Sequence, residues 1–376
     1  MKRVFKKFFI TTGVLLLLLI IAIMAFVSFA PQFGAAPTGE HLERIKSSPN
    51  YADGNFINLI ETELSFSPRA VVQMVYNFAT AKNTAPKDSI PVKFDESGKT
   101  GEEANPDNAT YITWYGHSAV LVEMDGMKLL IDPMLGTTSS PVAFFGRRFP
   151  YEEPINISDL KSIDAVLISH DHYDHLDYPS IKDLHKLTGH FYVPLGVGSH
   201  LKHWGVPPEK ITEMDWWDSA TFGTLTFTAT PARHFSGRGL GDRNKTLWAS
   251  WAIKGKNDRI YFSGDSGYGP HFREVAEKLG PFDFAMIECG QYNELWEDIH
   301  MLPDQSVNAA LDINSKVVMP IHWGAFSLAP HTWQEPAEKF TAGVLSAGLN
   351  VVTPYIGERI KVGHPYPQNE WWQGVR

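Results

Sequence analysis

From Phe8 to Ala30 the chain runs 23 residues without a charge, with an unbroken apolar stretch from Val14 to Ile23. About 20 such residues cross the hydrocarbon of a bilayer as a helix. Residues 31–108 keep no sustained period: Pro68 to Ala81 has helical character, and Lys82 to Asn108 is polar and rich in Pro, Gly and charge. From Thr110 the pattern changes to short β-rich runs, Tyr111–Tyr115, Ala119–Met124 and Met127–Asp132, the last two flanking Asp125-Gly126. An Asp-Gly pair between two such runs predicts a tight hairpin. Asp164–Ser169 reads as a buried strand, followed by a loop and a helix around Pro179–Leu187. Further strands are expected at Thr221–Thr230, Trp248–Ile253, Arg259–Ser263, Phe282–Ile287 and Lys316–Ile321, with helices near Phe272–Leu279, Pro303–Ile313 and Glu335–Ala347. A hairpin-rich first part and an alternating last part suit two packed sheets with helices outside, a four-layer α/β/β/α sandwich, better than one doubly wound sheet. The expected division is 1–30 basic segment and transmembrane anchor, 31–108 extension wrapping the body, 109–364 body and 365–376 tail.

Charge sharpens the reading of the first segment. Lys2, Arg3, Lys6 and Lys7 are the only charges before Glu40. Basic residues before a span and none just after predict a cytoplasmic N-terminus, with the body on the far side, periplasmic or extracellular if the host is bacterial. A cleaved signal peptide is the competing reading, but its apolar core is usually only about 7–15 residues. The remainder carries 29 basic against 42 acidic side chains, a net of −13, which excludes a nucleic-acid binder. With 43% hydrophobic residues the chain folds, and its single cysteine, Cys289, excludes a disulfide framework or a thiolate zinc site.

Fifteen histidines remain to be explained. The strand ending at Ser169 runs into His170-Asp171-His172-Tyr173-Asp174-His175-Leu176-Asp177. Imidazoles mixed with carboxylates suit zinc or another first-row divalent ion. In such a loop His170 and His172 can face one ion, while Asp174 and His175 lie far enough on to serve a second. Two ions need more ligands past other strands, and His234, Asp265 and His322 each stand just beyond a β run.

With these motifs in that order, the chain resembles the metallo-β-lactamase superfamily from about Ala109 to Gly363. The resemblance implies two zinc ions: His170, His172 and His234 on the first, Asp174, His175 and His322 on the second, and Asp265 bridging. It also implies a hydrolase whose nucleophile is a metal-bridging hydroxide, since bound ions bring the pKa of water towards neutrality. Asp171 is expected to orient a ligand imidazole. Trp114-Tyr115-Gly116-His117-Ser118-Ala119, Ile131-Asp132-Pro133, Gly264-Asp265-Ser266-Gly267-Tyr268 and Ile321-His322-Trp323-Gly324 are similar to the N-acylphosphatidylethanolamine-hydrolysing phospholipase D branch. That similarity implies a phospholipid substrate, with His300 or His117 hydrogen-bonding a phosphate oxygen. Pro231–Arg238 and Glu288–Tyr292 depart from the animal enzyme, which keeps a lactonase-type activity as an alternative. A non-enzymatic anchored binding protein is a second alternative, which predicts damaged ligands.

Other motifs are set aside. Gly264-Asp265-Ser266-Gly267 matches the nucleophile segment of chymotrypsin-like proteases, but that fold is all-β and usually stapled by disulfides. Ser97-Gly98-Lys99-Thr100 lacks the earlier glycine of a P-loop, where Lys93 stands. Trp216-Trp217 and Trp371-Trp372 are expected to pack in the body rather than at an interface.

Overall fold

A computed structural model describes residues 2–63, 67–94 and 109–376. The Ser97–Thr100 segment falls outside them. Fifteen strands form among the described residues. In chain order these are β1 Tyr51–Ala52, β2 Asn55–Phe56, β3 Tyr111–Trp114, β4 Val120–Met124, β5 Met127–Ile131, β6 Ile163–Leu167, β7 Thr188–Pro194, β8 Ile211–Met214, β9 Ser219–Phe222 and β10 Leu225–Thr230. They continue with β11 Ser250–Lys254, β12 Arg259–Phe262, β13 Phe284–Glu288, β14 Val318–Ile321 and β15 Arg359–Lys361. The helices are α1 Lys2–Phe29, α2 Gly39–Lys46, α3 Pro68–Thr80, α4 Tyr178–Leu184, α5 Gly198–His203, α6 His271–Leu279, α7 Pro303–Asp312 and α8 Glu335–Ser346.

Two large sheets carry the body. One has seven strands in the order β15-β3-β4-β5-β6-β7-β8, and the other six in the order β14-β13-β12-β11-β10-β9. In each, an antiparallel half passes into a parallel half, at β5–β6 and at β12–β13. Strand alternation explains the layering. Leu129 and Ile131 of β5 join the core between the sheets, whereas Leu130 joins a second core with Ile181 of α4 and Leu201 of α5. Successive side chains point to opposite faces, so a strand apolar on both must be covered on both. The fold is therefore the mixed α/β sandwich that the resemblance implies, with helices outside its two sheets.

The Asp125-Gly126 hairpin forms as expected, with Met124 opposite Met127 and both turn residues at positive φ. The run Thr221–Thr230 is instead two strands, because Gly223 at φ 59° turns the chain and pairs Phe222 with Leu225. The stretch Thr188–Met214, unassigned from sequence, supplies β7, α5 and β8. The end of the chain packs into the main core through Trp371 and Trp372, and Trp216 is buried too.

α1 is long and apolar enough to cross a membrane, and it projects from the body with none of its most apolar window buried. Such a helix can serve as an anchor or as a signal sequence.

Candidate metal centre

The C-terminal ends of strands from both sheets converge at one edge of the sandwich. The loop after β6 carries His170, His172, Asp174 and His175, and loops after β10, β12 and β14 bring His234, Asp265 and His322. Three site residues lie directly in the left-handed region, Asp132 (φ 42°), His117 (φ 54°) and His322 (φ 68°). Asp and His tolerate that conformation better than branched residues, and it turns each side chain off its strand into the site. The backbones of His117 and His322 lock the two sheets together: His117 N donates to Trp323 O at 2.7 Å, and His322 N donates to His117 O at 2.9 Å.

Within this edge the potential ligands fall into overlapping groups whose donor atoms lie within 4.8 Å of one another. His170, His172, His234 and Asp265 form one group; His117, Asp174, His175 and His322 form a second; Asp265, Glu288, His300 and His322 form a third. Asp265 connects them. Its Oδ2 lies 3.0 Å from His175 Nε2, 3.2 Å from His322 Nε2, 3.7 Å from His170 Nε2 and 3.8 Å from His234 Nε2.

Outer contacts aim the imidazoles. His170 Nδ1 donates to Ser169 Oγ at 2.9 Å, His175 Nδ1 to Asp132 Oδ2 at 2.7 Å and His234 Nδ1 to Ile299 O at 3.0 Å, which leaves each Nε2 facing the cluster. Asp132 is itself held by Ser169 through N (2.7 Å) and Oγ (2.5 Å). Glu288, fully buried at the end of β13, accepts from Met301 N at 2.9 Å and faces His300 Nδ1 at 3.4 Å and His322 Nδ1 at 3.5 Å. Asn58, from the N-terminal extension, brackets the His234 backbone with bonds of 2.8 and 3.1 Å.

The donor set fits divalent cations. Asp265 Oδ1, and His175 Nε2 despite its 3.0 Å approach to Asp265 Oδ2, are buried without a well-directed hydrogen bond among the described residues. Such orphans call for an explanation, and a coordinated ion supplies one. Electrostatics agree. Burial, reinforced by neighbouring imidazoles, holds His170 and His234 well below the usual histidine range, so both are neutral as ligands must be. Burial alone would also lower His175 and His322, but the facing carboxylates outweigh it. Asp265, Asp174 and Asp132 raise His175 well above its usual range, and Asp265, Asp174 and Glu288 raise His322 to about 10. Asp174 and Asp265 stay ionised despite burial, because the imidazoles beside them lower both. His175 and His322 thus hold protons where a cation would displace them.

Two sequence expectations need correction. Asp171 does not orient any of the expected ligands: its carboxylate accepts from Thr246 Oγ1 (2.8 Å) and Gly237 N (2.8 Å) and faces His200 Nε2 at 3.3 Å. That role belongs to Asp132, which is reached through tertiary contact rather than by adjacency. His117 does not face the open side of the site. It is wholly buried, its Nε2 lies 2.9 Å from Asp174 Oδ2, and burial lowers it to about 3. His300 does line the adjoining cavity of about 280 Å³. His172, Asp174, Asp265 and His322 lie at its polar end, and Ala70, Val71, Met74, Phe235, Leu295, Trp296, Ile299 and Leu328 give it apolar walls. Sequence reading missed Glu288, Asn58 and the walls contributed by α3.

Residues 127–323 match the family model of the β-lactamase superfamily domain. The chain is 40% identical to an uncharacterized protein of Mycobacterium tuberculosis over 332 residues, 87% of this chain and 88% of that one. It is 34% identical to N-acyl-phosphatidylethanolamine-hydrolyzing phospholipase D 1 of Caenorhabditis elegans over 253 residues, 64% of this chain and 71% of that one. A metallo hydrolase from the archaeon Ignicoccus hospitalis superposes with a TM-score of 0.52 at 22% identity, covering 68% of this chain and all of that one, a likeness of fold alone. Strand-end histidines and carboxylates, the two-sheet sandwich and these relatives agree: the chain belongs to the metallo-β-lactamase superfamily, as a metal-dependent hydrolase with homologues among N-acylphosphatidylethanolamine-hydrolysing phospholipases D.

Proposed function

We propose that this protein is a membrane-anchored, two-zinc phosphodiesterase that cleaves a glycerophospholipid of the N-acylphosphatidylethanolamine type. The observation that carries this reading is the cavity, with charged and imidazole groups at one end and apolar walls along the rest. An amphipathic lipid needs that combination: its phosphate seeks the polar end, and each methylene taken from water is worth about 0.8 kcal/mol. Similarity to the Caenorhabditis elegans phospholipase supports the substrate class. α1 supports action beside lipid, and the four basic residues in its first turns, ahead of the uncharged run, favour a cytoplasmic N-terminus.

In this reading His170, His172 and His234 hold one zinc, Asp174, His175 and His322 the other, and Asp265 both. When bound, the ions supply Lewis acidity at phosphorus and make water nucleophilic near neutral pH. The chain does the rest. The apolar walls exclude bulk water and position the acyl chains. His300 turns Nδ1 towards Glu288 at 3.4 Å, which leaves Nε2 for a phosphate oxygen. Asp132 and Ser169 fix the proton positions on His175 and His170.

The test is metal analysis of the full chain purified in detergent, followed by a screen of phosphodiesters, lactones and β-lactams. Two equivalents of zinc and phospholipid cleavage are expected. Asp265→Asn should then reduce turnover by several orders of magnitude, and His300→Ala by about 10²–10³ by analogy with loss of a single oxyanion donor. Robust lactone or lactam turnover without cleavage of any phosphodiester rejects the reading.

A further inference from the structure

The segment that follows α1 does not leave the body as a loose tether. Pro31–Phe33 forms a short 3-10 helix seated against the loop that carries the candidate ligands. Trp204 Nε1 donates to Pro31 O at 2.7 Å, Gln32 Nε2 donates to Pro141 O at 2.8 Å, and Ala35 N donates to His200 Nδ1 at 3.1 Å. Phe33 packs edge-on between Phe26 of α1 and Tyr173, which stands between His172 and Asp174.

Arg238 is the centre of this contact. It is only 4% exposed, and its guanidinium lies over the rings of Tyr173 at 4.1 Å and Trp204 at 5.1 Å. Nε and Nη2 donate to Gln32 O at 2.9 and 2.7 Å, while Nη1 donates to Asp171 O and Leu176 O on the candidate ligand loop. One buried cation therefore ties the end of the span to that loop. Charged hydrogen bonds of this kind are the strong ones, and removing either partner strands buried donors.

Around the point where the span meets the body, large apolar side chains face outwards. Leu240 is 79% exposed, and its loop shares a hollow with Val27 of α1. Phe144 and Phe145 are 79% and 65% exposed, three and four residues beyond the Pro141 carbonyl that Gln32 holds. Large apolar side chains left mostly exposed beside one junction mark an interaction surface. Its occupant follows from the helix emerging beside it, because a span of this length places its own end at the lipid headgroups.

We infer that Pro31–Ala35 and Arg238 fix the body rigidly on the bilayer, with Phe144, Phe145 and Leu240 seated in the lipid interface beside the span. The inference rests on reading α1 as a retained anchor. Phe235, which lines the cavity, is on the same loop as Arg238 and Leu240, so this seat holds the cavity close to the membrane rather than at the end of a flexible stalk.

The experiment uses the full chain in phosphatidylethanolamine and phosphatidylglycerol vesicles. Phe144→Cys, Leu240→Cys and Asn257→Cys, each adding one exposed cysteine, carry an environment-sensitive fluorophore, the native Cys289 being buried. Asn257 lies in the β11–β12 turn, at the opposite end of those strands from Asp265. Doxyl-labelled lipid should quench positions 144 and 240 several-fold more strongly than 257. In the Phe144→Cys protein, adding Arg238→Met should broaden the distribution of quenching at 144, as the seat loosens. Co-flotation with vesicles but equal quenching at all three positions overturns the rigid seat and leaves the anchor standing. Failure to co-float overturns the anchor, and the seat with it.

Discussion

Asp132 shows how much of this site lies in groups that never reach the metal position. It comes directly after β5, takes a left-handed conformation and spends both oxygens on Ser169 and His175. Asp132→Asn keeps the shape but removes the charge that favours a proton on His175 Nδ1. Groups of this kind typically account for 10–100-fold in metal affinity. We expect zinc affinity to fall within about that range, measured by competition with a chromophoric chelator, with the fold intact by circular dichroism. His271 makes a different prediction. Burial, reinforced by Arg233, lowers its pKa to about 3, and its Nε2 lies 3.0 Å from Ser266 Oγ. The unfolded chain binds this proton near pH 6.5 and the folded one does not, so stability attached to His271 is complete above about 6.5 and declines as pH falls towards 3. The slope is at most about 1.4 kcal/mol per pH unit. Urea unfolding between pH 7 and 4 should therefore show a steeper loss in the native protein than in His271→Gln.

At the scale of elements, the N-terminal extension contributes more than a linker would. Gln32 satisfies Arg238, Asn58 brackets His234, and α3 lines the cavity through Ala70, Val71 and Met74. α3 was expected from its pattern, and Ser67 caps it by accepting from Ala70 N at 3.1 Å. What that pattern could not show is which body surface the helix would meet. If α3 forms a wall of an acyl site, Met74→Ala should lower kcat/KM for long-chain substrates by the equivalent of about 1–3 kcal/mol in activation free energy, with the loss shrinking as acyl length falls. A chain-length series read by product release checks this, and a loss independent of length would detach α3 from substrate binding.

For the whole molecule, ligands drawn from both sheets make metal occupancy a matter of stability as well as activity. An ion that binds only the folded state stabilises it by about 4 kcal/mol at a thousand times its dissociation constant. Chelation should accordingly lower the melting temperature in calorimetry, and zinc should restore it. The sequence alone determined the apolar span, the alternation that predicts two covered sheets, the Asp-Gly hairpin and the candidate ligand set. Each of these is local: hydrophobic period, turn chemistry, or a side chain standing just past a strand end. Tertiary structure decided the partners of those groups. It paired His175 with Asp132 across 43 residues, set Glu288 behind His300 and His322, withdrew His117 behind Asp174, turned Asp171 towards Thr246 and His200, and brought Gln32 to Arg238 across 206 residues. The physical reason is burial. Once folding removes water from a charged or imidazole group, its state depends on whichever donor or acceptor the sheets bring within about 3 Å, and sequence distance carries no record of that.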